Sequence, residues 1–118
     1  MPTILVVDDD LDIRREVGEI LREEGFEVLL ASGGADALRL LATSARPAVI
    51  LLDLVMPRTD GWEFRRAQLG DPRLASIPVL VLSSFDSGPR DVADLQAAGF
   101  VAKPFTIAQL LGAIAHFR

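Results

Sequence analysis

The apolar residues of this chain fall into two patterns: short uninterrupted runs, and longer stretches with helical spacing. Thr3-Ile4-Leu5-Val6-Val7, Val49-Ile50-Leu51-Leu52-Asp53 and Pro78-Val79-Leu80-Val81-Leu82 show no polar face. Such runs predict strands buried on both sides, as in a parallel sheet. Phe26 to Leu30 reads as another strand, and Phe100-Val101-Ala102 as a minimal one. Between these runs the period changes. Ile13, Val17, Ile20 and Leu21 recur at helical spacing until Gly25 stops the helix, with Asp9 or Asp10 as N-cap and Asp12 in the first turn. Gly33-Gly34 lead into a helix carrying Ala37, Leu38, Leu40 and Leu41, which ends before Pro47. Gly61 to about Gln68 predicts a shorter helix with a weaker pattern, and Gly70 to Ser76, containing Pro72, a loop. A helix from about Pro89 to Ala98 is broken by Gly99, and Thr106 caps a last helix through Leu110, Leu111, Ile114 and Phe117.

Strand and helix thus alternate five times along the chain. Right-handed crossovers then give an α/β fold, a parallel sheet with helices on both faces. The 118 residues make one domain, 1–118, with no internal repeat, low-complexity tract or linker. Half of the residues are apolar, yet no run is long enough to span a membrane, and the start MPTILVV lacks the basic region of a secretory signal. The absence of cysteine excludes disulfides and thiolate metal sites and fits a reducing, cytoplasmic setting. A net charge of −5 argues against holding nucleic acid or an anionic membrane through a broad basic surface.

The distinctive polar residues gather at one end of this sheet. Asp8 and Asp9 follow the first strand, Asp53 ends the third, Ser83 the fourth and Lys103 the fifth. Ligands of open α/β sheets bind outside the carboxyl ends of the strands. Each piece has an ordinary alternative: Asp8-Asp9 as caps, Asp53 and Ser83 as turn residues, Lys103-Pro104 as a simple turn. All of them at adjacent strand ends call for a common explanation. Converging carboxylates repel one another unless a cation joins them, and a hard divalent ion such as Mg²⁺ suits carboxylate oxygens, carbonyls and water. A lysine and a hydroxyl beside that ion are suited to holding the oxygens of a phosphoryl group.

Four stretches, ILVVDDD, VILLDLVMPRTDGWEF, IPVLVLSS and AAGFVAKPF, appear in an order and spacing that resembles the receiver domain of two-component response regulators, over essentially the whole chain. The resemblance implies a flavodoxin-like, doubly wound sheet of five parallel strands in the order 2-1-3-4-5 with five helices. It implies that Asp53 accepts a phosphoryl group from the phosphohistidine of a sensor histidine kinase or phosphotransfer protein, with Mg²⁺ as cofactor. Asp9 would bind the ion directly, Asp8 largely through water, and the backbone carbonyl of Val55 would complete the protein's share. Ser83 matches the hydroxyl that bonds the phosphoryl group, Lys103 the basic residue that pairs with it, and Phe100 the aromatic that turns inward when the hydroxyl moves. The Lys103-Pro104 bond would be cis. On this reading the chain is a signalling switch that catalyses its own phosphorylation and dephosphorylation. It would present a state-dependent surface to a downstream target protein, an output domain or, as a phosphorylation-dependent dimer, a second copy.

Some positions depart from the family pattern. Ser84 stands where a small apolar residue is usual, and Thr59 replaces a residue that is commonly Met or Gly. Val55 and Phe85, both apolar, stand at the mouth of the site and imply slow loss of phosphate. Phe100 has no phenolic hydroxyl to bury. Two other readings compete: a receiver-like interaction module that no longer takes phosphate, and a phosphohydrolase of the haloacid dehalogenase type suggested by Asp8-Asp9-Asp10-Leu11-Asp12. The second needs a Thr or Val at Leu11, another acidic cluster and a longer chain. His116 is expected on the surface of the last helix, away from the site. The ending at Arg118 fits either a stand-alone receiver or a piece of a larger chain.

Overall fold

The computed structural model describes residues 2–43, 46–53, 61–83, 97–102 and 105–117. The expected five-stranded parallel sheet is present, in the order β2-β1-β3-β4-β5. The strands are β1 (Thr3–Val7), β2 (Glu27–Ala31), β3 (Val49–Asp53), β4 (Val79–Ser83) and β5 (Gly99–Ala102). The described helices are α1 (Leu11–Glu23), α2 (Gly34–Thr43), α3 (Gly61–Leu69) and α4 (Ile107–Ile114), the last tightening into a 3₁₀ turn over Ala115–Phe117. The helix expected from Pro89 falls largely outside the described residues.

Pleating explains why the central strands carry no polar face. Successive side chains of β1 go to opposite sides of the sheet. Leu5 and Val7 join Ile50, Leu52, Val79 and Val81 in one core, beneath Ala37 and Leu41 of α2 and Phe64 of α3. Ile4 and Val6 join Leu51, Leu80 and Leu82 in the other, beneath Val17 and Leu21 of α1 and Leu110 and Ile114 of α4. Every residue of β3 is buried, so an apolar side chain is required on each face.

Local chemistry sets the ends of the elements. Of the two cap candidates Asp10 is the one used: its Oδ1 accepts from the N–H groups of Asp12 at 2.9 Å and Ile13 at 3.2 Å. At the other end of α1, Gly25 takes φ 93°, a conformation that disfavours any side chain. Its N–H donates to Arg22 O at 3.0 Å and that of Phe26 to Leu21 O at 3.1 Å. This double closure spends the Phe26 amide on the helix, so β2 starts at Glu27 rather than at Phe26. Thr106 caps α4, as the sequence predicts, and Gln109 completes a reciprocal capping box.

Three boundaries differ from expectation for physical reasons. Gly99 is not a helix breaker outside the sheet but the first residue of β5, in register with Leu80. A Cβ at position 99 would stand 2.6 Å from Leu80 Cδ2, so a side chain there would force Leu80 to shift. Ala97 and Ala98 are not helical, and the Ala98 N–H already donates to Val79 O at 2.9 Å. The α-helical part of α4 stops at Ile114, short of Phe117.

Candidate functional site

Strand register, rather than any loop, levels the acidic residues with one another. Val7 pairs with Leu52, so the next residue on each strand, Asp8 and Asp53, stand side by side at the carboxyl edge. Asp53 pairs in turn with Leu82, and Ser83 with Ala102. Ser83 therefore closes β4 one step beyond Asp53, and Lys103 follows the last residue of β5. Lys103 and Pro104 themselves, with Val55, Thr59, Ser84 and Phe85, lie outside the described residues. Phe100, in the middle of β5, is 44 % exposed. His116 is exposed in the final 3₁₀ turn, at the opposite end of α4 from Thr106.

Asp8 is 1 % exposed and Asp53 8 %, while Asp9 is open to solvent. One carboxylate oxygen from each of the three lies within 4.8 Å of the others. Asp8 is fixed at several points. Its N–H donates to Ala31 O at 3.1 Å, extending the pairing of β1 with β2 by one residue. Its Oδ1 accepts from the Asp10 N–H at 3.0 Å, and its carbonyl oxygen accepts from Arg14 Nη1 at 2.9 Å. Among the described residues no buried side-chain nitrogen or oxygen lacks a partner, so the pocket is built from satisfied groups.

Three carboxylates at this spacing form an oxygen-only donor set. When ionised they repel one another, and a hard divalent cation converts that repulsion into attraction. The arrangement suits Mg²⁺ better than a soft metal, which would favour sulfur or imidazole. Sequence reasoning placed Asp8, Asp9 and Asp53 but missed two supporting groups, the Asp10 amide and Arg14. Neither left a distinct signal: a backbone amide leaves none, and a cation in the first turn of a helix, though it opposes the helix dipole, reads beside four aspartates as an ordinary solvated charge.

The comparisons with known proteins agree with this geometry. A family model described as response regulator receiver domain matches residues 4–115. The chain belongs to the response regulator receiver domain family. The receiver is 42 % identical over 112 residues to the response regulator MprA of Mycolicibacterium vanbaalenii, covering 92 % of this chain and 46 % of that protein. Its identity to the MprA of Mycobacterium tuberculosis is 41 % over 110 residues, with the same coverage. The chain thus spans about half the length of these curated relatives. Among solved structures, the chemotaxis protein CheY4 of Vibrio cholerae superposes with a TM-score of 0.90 at 31 % identity, covering 100 % of this chain and 99 % of that one. The signal receiver domain of a signal transduction histidine kinase from Syntrophus aciditrophicus gives 0.88 at 32 % identity, covering 99 % and 89 %. Membership over nearly the whole receiver leaves no place for the haloacid dehalogenase reading.

Proposed function

We propose that this receiver takes a phosphoryl group from a phosphohistidine onto Asp53, in a reaction that requires Mg²⁺. The observation that carries the reading is the meeting of Asp8, Asp9 and Asp53 at the carboxyl edge, with carboxylate oxygens within 4.8 Å of one another. Asp9, exposed, would hold the ion directly, Asp8 largely through water, and the Val55 carbonyl and Asp53 would complete the protein's ligands. Bound there, the ion neutralises charge on the transferring oxygens. Asp53 supplies the nucleophile: a carboxylate oxygen attacks phosphorus, the bond to the histidine nitrogen breaks, and an acyl phosphate results. Ser83 and Lys103 would hold the new oxygens, since Ser83 follows Leu82, the partner of Asp53, and Lys103 follows Ala102, the partner of Ser83.

The phosphoryl dianion then biases a two-state element between Ser83 and Phe100. A largely exposed Phe100 on an edge strand fits the state that precedes inward rotation. The partners are a sensor histidine kinase or phosphotransfer protein on the input side. On the output side they are a target protein, an output domain or a second copy of the receiver.

Incubation with acetyl phosphate tests the reading against that of a pure interaction module. The receiver should gain one phosphoryl group per chain with Mg²⁺ and none with excess EDTA. No labelling at millimolar Mg²⁺ would leave the binding-module reading standing.

A further inference from the structure

Arg14 is the fourth residue of α1, half-buried, and its guanidinium is committed to the carbonyl oxygen of Asp8 at 2.9 Å. That carbonyl belongs to the residue whose carboxylate is the most buried of the acidic cluster. The hydrogen bond therefore fixes a permanent positive charge against the backbone of Asp8, because arginine stays protonated in proteins. The location is otherwise unfavourable for a cation, since the first turn of a helix carries the positive end of the dipole. Asp8, Asp9, Asp10 and Asp12 all lie within six positions before it. The Asp10 carboxylate is occupied in capping the helix.

We propose that Arg14 is a resident counter-charge of the acidic pocket. It is a positioning residue that holds Asp8 and steadies the three carboxylates when no divalent cation is present. The proposal rests on the reading of that pocket as a Mg²⁺ site and adds a quantitative consequence. A charge that stabilises the metal-free cluster must oppose the incoming cation by the same coupling, since linkage between two ligands of one site is reciprocal. Arg14 thus lowers Mg²⁺ affinity while raising the stability of the metal-free receiver, which makes occupancy responsive to the cation concentration rather than permanently saturated. A staple that only ties α1 to the β1 end would do neither selectively.

The test compares wild type, Arg14→Gln and Arg14→Lys by calorimetric Mg²⁺ titration and by thermal melting with and without Mg²⁺. Arg14→Gln keeps a donor for the Asp8 carbonyl and removes the charge. It should bind Mg²⁺ about threefold to tenfold more tightly. It should also melt lower than wild type without Mg²⁺, and the gap should narrow in Mg²⁺ and at high salt. Arg14→Lys, which keeps the charge, should stay near wild type in affinity. The metal-free loss should shrink when Arg14→Gln is combined with Asp53→Asn, because one of the repelling carboxylates is gone. Unchanged or weaker Mg²⁺ binding by Arg14→Gln, with the same melting loss in every condition, would overturn the proposal in favour of a plain staple. Failure of wild type itself to bind Mg²⁺ would overturn the metal reading instead, and the metal-free double-mutant comparison would still decide the role of Arg14.

Discussion

Asp53 meets two opposed demands. It ends a strand buried at every position, yet it is an ionisable carboxylate in an acidic cluster at the edge of the sheet. The neighbours resolve the conflict, since Asp8 stands level with it across the β1–β3 pairing and Asp9, exposed to solvent, belongs to the same cluster. Asp53→Asn keeps the shape and removes one of the repelling charges, so the metal-free mutant should fold and melt at or above the wild-type temperature. A large loss of melting temperature would mean that the Asp53 carboxylate is a structural anchor rather than a member of a strained cluster. The aspartates were legible in the sequence because strand ends can be counted from uninterrupted apolar runs. Arg14 was not, since a basic residue on the outer face of an amphipathic helix looks the same whether it is solvated or bound to a carbonyl.

At the scale of elements, α3 shows where hydrophobic periodicity loses its force. Its weaker pattern has a definite cause: Arg65 and Gln68 occupy inner positions beside Phe64 and are 5 % and 0 % exposed. Arg65 Nη1 donates to Gln68 Oε1 at 2.8 Å, and Gln68 Nε2 donates to the carbonyls of Leu74 at 2.9 Å and Ile77 at 3.0 Å. The glutamine thus holds the α3–β4 connection against the helix, where a pattern count registers only a polar residue. Burial in this setting holds the Arg65 guanidinium below its usual range, though arginine remains charged. Gln68→Ala should cost about 2 kcal/mol and several degrees of melting temperature, because two inward carbonyls lose their donor. A loss within error of zero would show that water replaces the amide. The start of α2 makes a pH-dependent contribution. Asp36 accepts from the Arg39 side chain and from the Ser32 N–H at 3.1 Å, and these bonds, the Arg39 one first, hold its carboxyl below the usual aspartate range. A carboxyl depressed in the folded state stabilises above its unfolded pKa, and that stabilisation is lost as pH falls through the lower folded value. Asp36→Asn should therefore melt slightly below wild type at pH 7, by less than about 1 kcal/mol for so exposed a pair. The two curves should converge at a pH beneath the ordinary aspartate pKa of about 3.9. A gap that stayed constant with pH would trace the effect to shape rather than charge.

For the molecule as a whole, the parallel order β2-β1-β3-β4-β5 does the work of assembling the site from residues far apart in the chain. Asp8 and Asp53 become neighbours because β1 and β3 pair directly, and Ser83 ends the strand on the other side of β3. This architecture was legible because three apolar runs without a polar face admit only a sheet covered by two helical layers. What the pattern could not locate were the points where an element ends by hydrogen bonding rather than by composition. The Phe26 amide closes α1, and Gly99 enters β5 by pairing in register with Leu80. The central claim is that this register delivers one reactive carboxylate, at Asp53. Its most direct test is to label the receiver with acetyl phosphate and Mg²⁺, digest it under conditions that preserve or trap the acyl phosphate, and locate the modified residue by mass spectrometry. The account predicts modification at Asp53 in wild type and none in Asp53→Asn. Label at another residue of wild type, or equal labelling of the two proteins, would contradict it.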